Sequence, residues 1–277
     1  MNPQKLVGIM LMCALLVGAC GGGASNNGSG GGSGSPQASE SSGSNGGGTF
    51  NGDSSTIPVI IKNWSIAIAP FDPATGKAGV MQIAGVVPPQ LPNPEDTLMF
   101  RFIASSYGNV VRGEKDPQMA FVAPLGTKVL AMIDGTVCDL PLLYSNDYSV
   151  RVAPPGVPCY PAPNYGADIL FEHEHLIDPL VKVGDTVTAG QEIGSVATWQ
   201  TPWTELGFGV TEIGVFFSVP PNPMHACLTS YIDPSVKEQM TAALVSIQEA
   251  WTKERNDDTL YPAEVTPGCL TTDDLPG

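Results

Sequence analysis

The sequence has few histidines and few basic residues, and both shortages exclude functions. Its 277 residues include 3 histidines, and 12 lysines and arginines stand against 27 acidic residues, for a formal net charge of −15. A surface this acidic repels phosphate backbones, so nucleic acid is excluded as a partner. Three histidines also leave few imidazoles for a metal or acid–base site.

Several common catalytic motifs are absent from the sequence. It contains no Gly-x-Ser-x-Gly nucleophile motif and no Cys-x-x-Cys spacing typical of zinc ligands. The glycine-rich stretch at 21–52 precedes no helical pattern, so it does not indicate a phosphate-binding loop. Candidate functional residues must therefore be sought outside these motifs.

The first residues predict export and a lipid anchor. Residues 6–17 form an apolar run that is shorter than the roughly 20 residues a membrane-spanning helix needs, which predicts a signal peptide over 1–19. The run ends in VGAC at 17–20, which resembles a bacterial lipobox. The resemblance implies cleavage before Cys20, its acylation by palmitate-type chains, and attachment of the chain to a membrane. Gly21 after the cysteine favours the outer membrane of the cell envelope.

The anchor is followed by a predicted tether and two further segments. Gly, Ser and Asn fill most of 20–55 and leave no apolar face to bury, so we expect a flexible tether with a reach of about 30 Å. A β domain is predicted over 56–226. A helical C-terminal segment is predicted over 227–277.

Four cysteines remain beyond the lipidation site: Cys138, Cys159, Cys227 and Cys269. An even number in an exported chain predicts disulfides, and four cysteines allow three pairings. We favour Cys138–Cys159 with Cys227–Cys269, because each pair closes a local loop worth about 3–4 kcal/mol in the chain-entropy treatment.

Short β-forming runs separated by turns fill the predicted β domain, which has no helical patterns between them. The predicted strands are Ile57–Ile61, Trp64–Ile68, Thr97–Ile103, Ala120–Ala123, Thr127–Met132, Gly135–Cys138, Ser149–Val152 and Ile169–Glu174. One amphipathic helix is predicted near the C-terminus, with Asp233 as its cap, Pro234 in its first turn and Asn256 at its end. Its apolar residues at helical spacing are Val236, Met240, Ala243, Leu244, Ile247 and Trp251.

A family resemblance rests on two short strands around glycine turns, VKVGDTVTAGQEIG at 181–194. This segment resembles the duplicated hybrid motif of biotinyl and lipoyl carriers, membrane-fusion adaptors and lysostaphin-type zinc endopeptidases. A biotinyl carrier is disfavoured because the turn has no Met-Lys-Met. A periplasmic adaptor is retained only as a second alternative, because the sequence lacks the long coiled-coil heptads that such adaptors carry.

The flanking residues favour the peptidase family over 116–223. APLGTKVLA at 123–131, DGTV at 134–137, His175-Leu176 and VFFSV at 215–219 are similar to that family's motifs. The resemblance implies a mainly β fold of the barrel-sandwich hybrid type, to which the C-terminal amphipathic helix adds.

The same resemblance argues against the family's chemistry. Those peptidases hold zinc with a His, an Asp four residues later and a His in an "HLH" strand. In this sequence the corresponding positions carry Asp116, Ala120 and the stretch 214–216 (Gly-Val-Phe). A catalytic zinc needs three protein ligands, which these residues do not supply. We therefore predict no cofactor and no catalysis. His175 matches a family histidine that assists catalysis, and it would be catalytic only in an active enzyme.

Two other groups of residues are candidates for binding. Strand alternation predicts that His173 and His175 share one face. On one interpretation they chelate a relocated metal ion together with Asp178, Glu212 or His225. On the other they simply belong to a half-exposed strand. Aromatic residues surround a loop that lines the groove in the peptidase family, and they form either an exposed binding patch or ordinary packing. These residues are Trp199, Trp203 and Phe208.

The sequence predicts a non-catalytic envelope lipoprotein whose peptidase-like domain binds a cell-wall component such as peptidoglycan, or an envelope protein. The predicted binding residues are Asp116, His173, His175, Trp199, Trp203 and Phe208. The alternative is an enzyme, a zinc-dependent peptidoglycan endopeptidase with relocated metal ligands. In it, His173 and His175 would hold the zinc ion. Zinc is expected only in that alternative.

Overall fold

A computed structural model describes residues 57–98, 100–105, 110–111, 114–115, 118–161, 166–217, 224–261 and 275–276. All of them belong to one unit of the chain, Gly48–Gly277. The described residues do not include the predicted signal peptide, the predicted tether that begins at Cys20, or the single residues Asp116 and Cys269. The predictions for these parts stay predictions.

Most of the described strands join one antiparallel sheet of ten strands. The strands are β1 (Lys77–Ala78), β2 (Met81–Gln82), β3 (Val110–Val111), β4 (Glu114–Lys115), β5 (Met119–Pro124), β6 (Lys128–Leu130), β7 (Gly135–Asp139), β8 (Tyr148–Ala153), β9 (Ile169–Ile177), β10 (Thr186–Val187), β11 (Glu192–Val196), β12 (Phe208–Phe217), β13 (Met224–His225) and β14 (Leu275–Pro276). The large sheet runs β10-β7-β8-β9-β12-β13-β14, with β5 paired to β12 and β11 paired to both β6 and β9. Strands β9 and β12 therefore lie side by side near its centre.

This architecture confirms the predicted fold class, a mainly β fold with a C-terminal helix. The predicted strands from Ala120 onward are confirmed as β5 to β9, with boundaries that differ by up to three residues. The two β-forming pairs inside the 181–194 motif are confirmed as β10 and β11. Turn residues between short apolar runs located these strands well because most of the side chains in these runs are buried in a shared core.

The three strands predicted before residue 104 are wrong. Between Ile57 and Ile68 the chain makes a single bridge, from Ile61 to Ile232, and otherwise runs as an irregular segment. Its backbone bonds to several separate parts of the chain: Ile61 N donates to Tyr231 O, Lys62 N donates to Met132 O, and Ala67 O accepts from Val80 N. The apolar side chains, such as Trp64, are buried all the same. Apolar content therefore predicted burial correctly and strand pairing incorrectly.

The predicted strand at Thr97–Ile103 is also replaced by other structure. A short helix, α1 (Pro94–Leu98), covers its beginning. A second short helix, α2 (Thr201–Thr204), lies elsewhere in the chain, just before β12. Phe100 and Ile103 are buried in the core. Proline suits the first turn of a helix, which explains why Pro94 begins α1.

The predicted C-terminal helix is confirmed as α3 (Pro234–Arg255). The Asp233 side chain accepts a hydrogen bond from Ser235 N, and Asn256 ends the helix in a left-handed conformation. The buried residues of α3 are Met240, Ala243, Leu244, Ile247, Gln248 and Trp251. Within the described ranges, no helix combines the length and the apolar character that crossing a bilayer requires.

The predicted disulfide Cys138–Cys159 is confirmed, with a Cα–Cα distance of 5.1 Å. It links the end of β7 to the loop between β8 and β9. Cys227 is also disulfide-bonded. Its predicted partner, Cys269, lies outside the part of the chain that the structure describes.

Candidate functional site

A row of directly paired residues crosses three neighbouring strands at the candidate site. Glu212 on β12 pairs with Glu174 on β9 on one side and with Ala120 on β5 on the other. Residues that are directly opposite in antiparallel strands project to the same face, with Cβ atoms about 5 Å apart. The row therefore brings two carboxylates together beside an alanine methyl group.

A β-bulge brings His175 to this row. The register between β8 and β9 shifts between Tyr148 and Val150, and His175 has a φ of 59°. A bulge inserts an extra residue and interrupts the alternation of side chains. The prediction that His173 and His175 share one face is therefore wrong, because His175 lies with Glu212 while His173 points into the core.

His173 is a structural residue and not part of the site. It is completely buried, its Nε2 accepts a hydrogen bond from Met132 N at 2.9 Å, and its Nδ1 lies 3.1 Å from Val150 O. Burial lowers the pKa of His173 to about 4, so the ring stays neutral at physiological pH. Both nitrogens are occupied, and this corrects the predicted binding role of His173.

His175 is held from several directions. Its Nδ1 lies 3.0 Å from Asp147 Oδ2 and 3.3 Å from Ser145 Oγ, while its Nε2 faces Glu212 Oε2 at 3.6 Å. The ring stacks on Trp199 with 3.8 Å between centroids and 15° between planes. Nδ1 is thereby committed to Asp147, and Nε2 is directed at the carboxylate row.

The carboxylates around His175 shift its protonation and that of Glu174. Burial disfavours the imidazolium, but the hydrogen bonds and charges of Asp147 and Glu212 outweigh burial and raise the pKa of His175 to about 9. Burial, together with the charge of Glu172, raises the pKa of Glu174 to about 7. The site therefore holds a surplus of acidic groups around one imidazole.

A polar network supports the site from β8 and β9. Gln118 Nε2 donates to Glu172 Oε2 at 3.1 Å and to Glu174 Oε2 at 2.9 Å. Arg151 forms salt bridges with Asp139 and Glu172, both with distances below 3 Å. These contacts fix the β9 carboxylates, since each bond restricts the rotamers of the acidic side chains.

An aromatic pocket of about 70 Å³ adjoins the carboxylate row. We use this name for the cavity lined, among others, by Phe100, Phe102, Ala120, Trp199, Trp203 and Glu212. Trp203 is buried and Phe208 packs against it edge-on, with 5.8 Å between ring centroids. The predicted exposed patch is thus corrected, because Trp199 and Trp203 line a partly buried pocket and Phe208 packs against Trp203.

The sequence-based search missed Asp147 and Tyr144, which come from the turn before β8. Asp147 is buried against His175. Tyr144 is mostly exposed, and partial burial of its hydroxyl together with the charges of Glu212, Glu174 and Asp147 raises its pKa. The one signal in the sequence was the Ser-Asn-Asp turn at 145–147, which does not by itself indicate contact with a histidine 28 residues away.

The residues at the peptidase family's metal position do not fit a zinc ion. Ala120 and Gly214 have no donor atoms, and Asp116 lies outside the described residues. A different set of donors lies nearby: one ligand atom from each of Glu174, His175 and Glu212, all within 4.8 Å of one another.

Comparison with known proteins gives similarities at the level of fold. No protein-family model and no curated protein matches the sequence. Among solved structures, the catalytic domain of the antimicrobial peptidase lysostaphin from Staphylococcus simulans aligns at 20% identity over 43% of this chain and 79% of that chain, with a TM-score of 0.31. A variant of the catalytic domain of the prophage-encoded M23 protein EnpA from Enterococcus faecalis aligns at 21% identity over 50% and 92%, with a TM-score of 0.33.

Other proteins align over less than half of their own length. Csd3 from Helicobacter pylori aligns at 18% identity over 73% of this chain and 47% of that chain, with a TM-score of 0.31. In the solution structure of lysostaphin the aligned part covers 43% of that chain. Similarities at these levels assign no activity to this chain. Its structural neighbours at low identity include lysostaphin and an M23 protein.

Proposed function

We propose that this protein is a lipid-anchored envelope protein whose peptidase-like β domain binds a cell-wall component without cleaving it by the zinc chemistry of lysostaphin-type enzymes. The observation that carries the proposal is the pairing of Ala120 with Glu212. A methyl group stands where the resemblance requires an aspartate ligand, yet the cavity beside it is retained. Shape for binding is thus present beside a position that lacks one of the metal donors the resemblance implies.

The pocket itself supports recognition of a small part of a larger ligand. The pocket is small, with a volume of about 70 Å³, and both apolar and polar side chains line it. Trp199 and Phe102 offer apolar surface, and Glu212 offers a polar end. Such a mixture of aromatic walls with one polar group is typical of sites that orient a ligand.

Binding to purified peptidoglycan tests this proposal. We expect the full chain to sediment with peptidoglycan sacculi, and Trp199→Ala to reduce the bound fraction at least about fivefold, because truncating an aromatic residue in a pocket usually weakens binding by 1 kcal/mol or more. Leu180→Ala, which shortens an exposed side chain, is the matched control and should bind like the wild type. No sedimentation of the wild-type chain would contradict the proposal and would leave an envelope protein as the partner to be sought.

A second candidate function is metal-dependent hydrolysis with relocated ligands. The observation in its favour is the cluster of Glu174, His175 and Glu212. It predicts that the protein releases soluble fragments from sacculi and that a chelator stops the release. His173, which the relocated site was predicted to include, cannot take part because both its nitrogens are hydrogen-bonded in the core.

A further inference from the structure

We propose that Glu174, His175 and Glu212 form a binding site for a divalent cation of the zinc class. Their donor atoms lie within 4.8 Å of one another, and His175 Nε2 is 3.6 Å from Glu212 Oε2. Neighbouring ligands of a tetrahedral zinc ion are about 3.4 Å apart, given zinc–ligand bonds near 2.1 Å. The His175–Glu212 spacing is close to this value, and the Glu174 carboxylate, which accepts a hydrogen bond from Gln118 Nε2, belongs to the same cluster.

The orientation of His175 is that of a metal ligand. A metal-bound histidine usually donates its other ring N–H to a carboxylate, which fixes the tautomer and the ring plane. Here Asp147 Oδ2 holds Nδ1 at 3.0 Å, so Nε2 presents its lone pair to the row when the ring is neutral. Trp199 stacks on the ring and fixes its plane further. Binding of a cation therefore requires loss of the Nε2 proton but no reorientation of the ring.

The charge balance of the site also favours a cation. Acidic groups outnumber cationic groups here: the carboxylates are Asp147, Glu172, Glu174 and Glu212, and the cationic groups are Arg151 and His175. Arg151 is also shared between Asp139 and Glu172. Glu174 and Glu212 are directly opposite each other on adjacent strands. Like charges in that position repel, and a divalent ion between them turns repulsion into attraction.

This site differs from the one that the family resemblance implies. Its donors come from β9 and β12 alone, whereas the resemblance placed ligands at Asp116, Ala120 and the stretch 214–216. Glu212 lines both the proposed site and the aromatic pocket. Three protein ligands would leave a coordination position for an outside oxygen, and Glu212, which belongs to both, places the site beside the pocket. The cation would there bind a carboxylate or carbonyl oxygen of the ligand; this role, unlike the metal site itself, rests on the proposed function.

Zinc titration of the full chain, purified without a histidine tag and treated with a chelator, tests the site. We expect calorimetry in excess Mg²⁺ to show one Zn²⁺ per chain, and Glu212→Gln and Glu174→Gln each to weaken binding at least about tenfold. Glu238→Gln, on the exposed face of α3, is the matched control and should bind like the wild type. Equal binding by the wild type and Glu212→Gln, or none by the wild type, would overturn the proposal and leave an imidazolium–carboxylate ion pair only.

An NMR titration of the wild-type protein makes the test independent of whether the variants fold. Zn²⁺ should shift the ring resonances of His175 and leave those of His173 unchanged, because His173 Nε2 already accepts from Met132 N. Equal shifts at both rings, or none at His175, would contradict the site.

Sedimentation with sacculi separates a failure of the metal site from a failure of the proposed function. Zn²⁺ binding without sedimentation refutes the proposed function and leaves the metal site standing. Sedimentation that does not change with Zn²⁺ refutes the metal's role in ligand recognition and leaves the binding function standing.

Discussion

Asp147 Oδ2 lies 3.0 Å from His175 Nδ1, and both side chains are almost fully buried, with relative exposures of 2% and 3%. A carboxylate this close and this well shielded from water fixes the imidazole tautomer and its orientation. The contact joins the turn before β8 to the bulge in β9, two places that no pattern in the sequence connects. It is the contact on which the chemistry of the site depends.

Replacing Asp147 should change the protonation of His175. In chelator-treated protein we expect wild-type His175 to remain protonated through neutral pH and to titrate near 9, and Asp147→Asn to lower its pKa by about one unit or more. Because the folded-state pKa is raised, the stabilisation is complete below the unfolded value of 6.5 and is lost as the pH rises through 9. NMR titration of the ring measures both pKa values, and identical titrations would show that Asp147 does not stabilise the imidazolium.

His173 should make the fold sensitive to acid. Its pKa is lowered from 6.5 to about 4, so the unfolded chain binds a proton in this range and the native ring does not. Stability from this residue is complete above pH 6.5 and falls as the pH drops towards 4, by up to about 3 kcal/mol. Urea unfolding at a series of pH values measures the loss.

A variant isolates the contribution of His173 from those of other titrating groups. His173→Gln retains polar atoms but does not titrate, and it should lose less stability than the wild type between pH 6.5 and 4. Parallel stability curves for the two proteins across this range would refute the assignment.

Removing the Cys138–Cys159 disulfide should destabilise the β domain. Its sequence separation of 21 residues corresponds to about 3 kcal/mol of lost loop entropy in the unfolded chain. Cys138→Ser with Cys159→Ser should therefore lower the free energy of unfolding in urea by about that amount. The wild type under reducing conditions is not an adequate control, because Cys227 is also disulfide-bonded. A loss below about 1 kcal/mol would contradict the entropic account.

Substituting Ala120 should strengthen the proposed cation site. Ala120→Asp places a further carboxylate directly opposite Glu212, which should destabilise the metal-free protein and tighten Zn²⁺ binding about tenfold, or about 1.4 kcal/mol. Ala120→Asn has the same shape without the charge and serves as the control. Thermal unfolding with and without Zn²⁺ checks the prediction, and an equal zinc-induced shift in both variants would contradict it.

The sequence predicted the regular part of the fold well. Short β-forming runs and turn signals located β5 to β9, and a cap, a proline and helical spacing located α3. The sequence-based prediction failed at Ile57–Ile68, where apolar side chains are buried but the backbone bonds to several separate parts of the chain. Periodicity reports which side chains are buried, and it does not report where the backbone hydrogen bonds go.

The site was predicted only in fragments. His175, Trp199 and Glu212 were candidates, but a bulge that no local pattern indicates moved His175 to the other face of β9. Asp147 meets His175 through the pairing of β8 with β9, and pairing between strands is a tertiary property. Contacts of this kind depend on register, and register cannot be obtained from residue spacing alone.

Incubation of the zinc-loaded full chain with purified sacculi tests the central claim most directly, because it measures binding and cleavage in one experiment. We predict that the protein sediments with the sacculi and that no soluble wall fragments are released. Fragment release that is abolished by a chelator and by Glu212→Gln would contradict this account and establish a hydrolase.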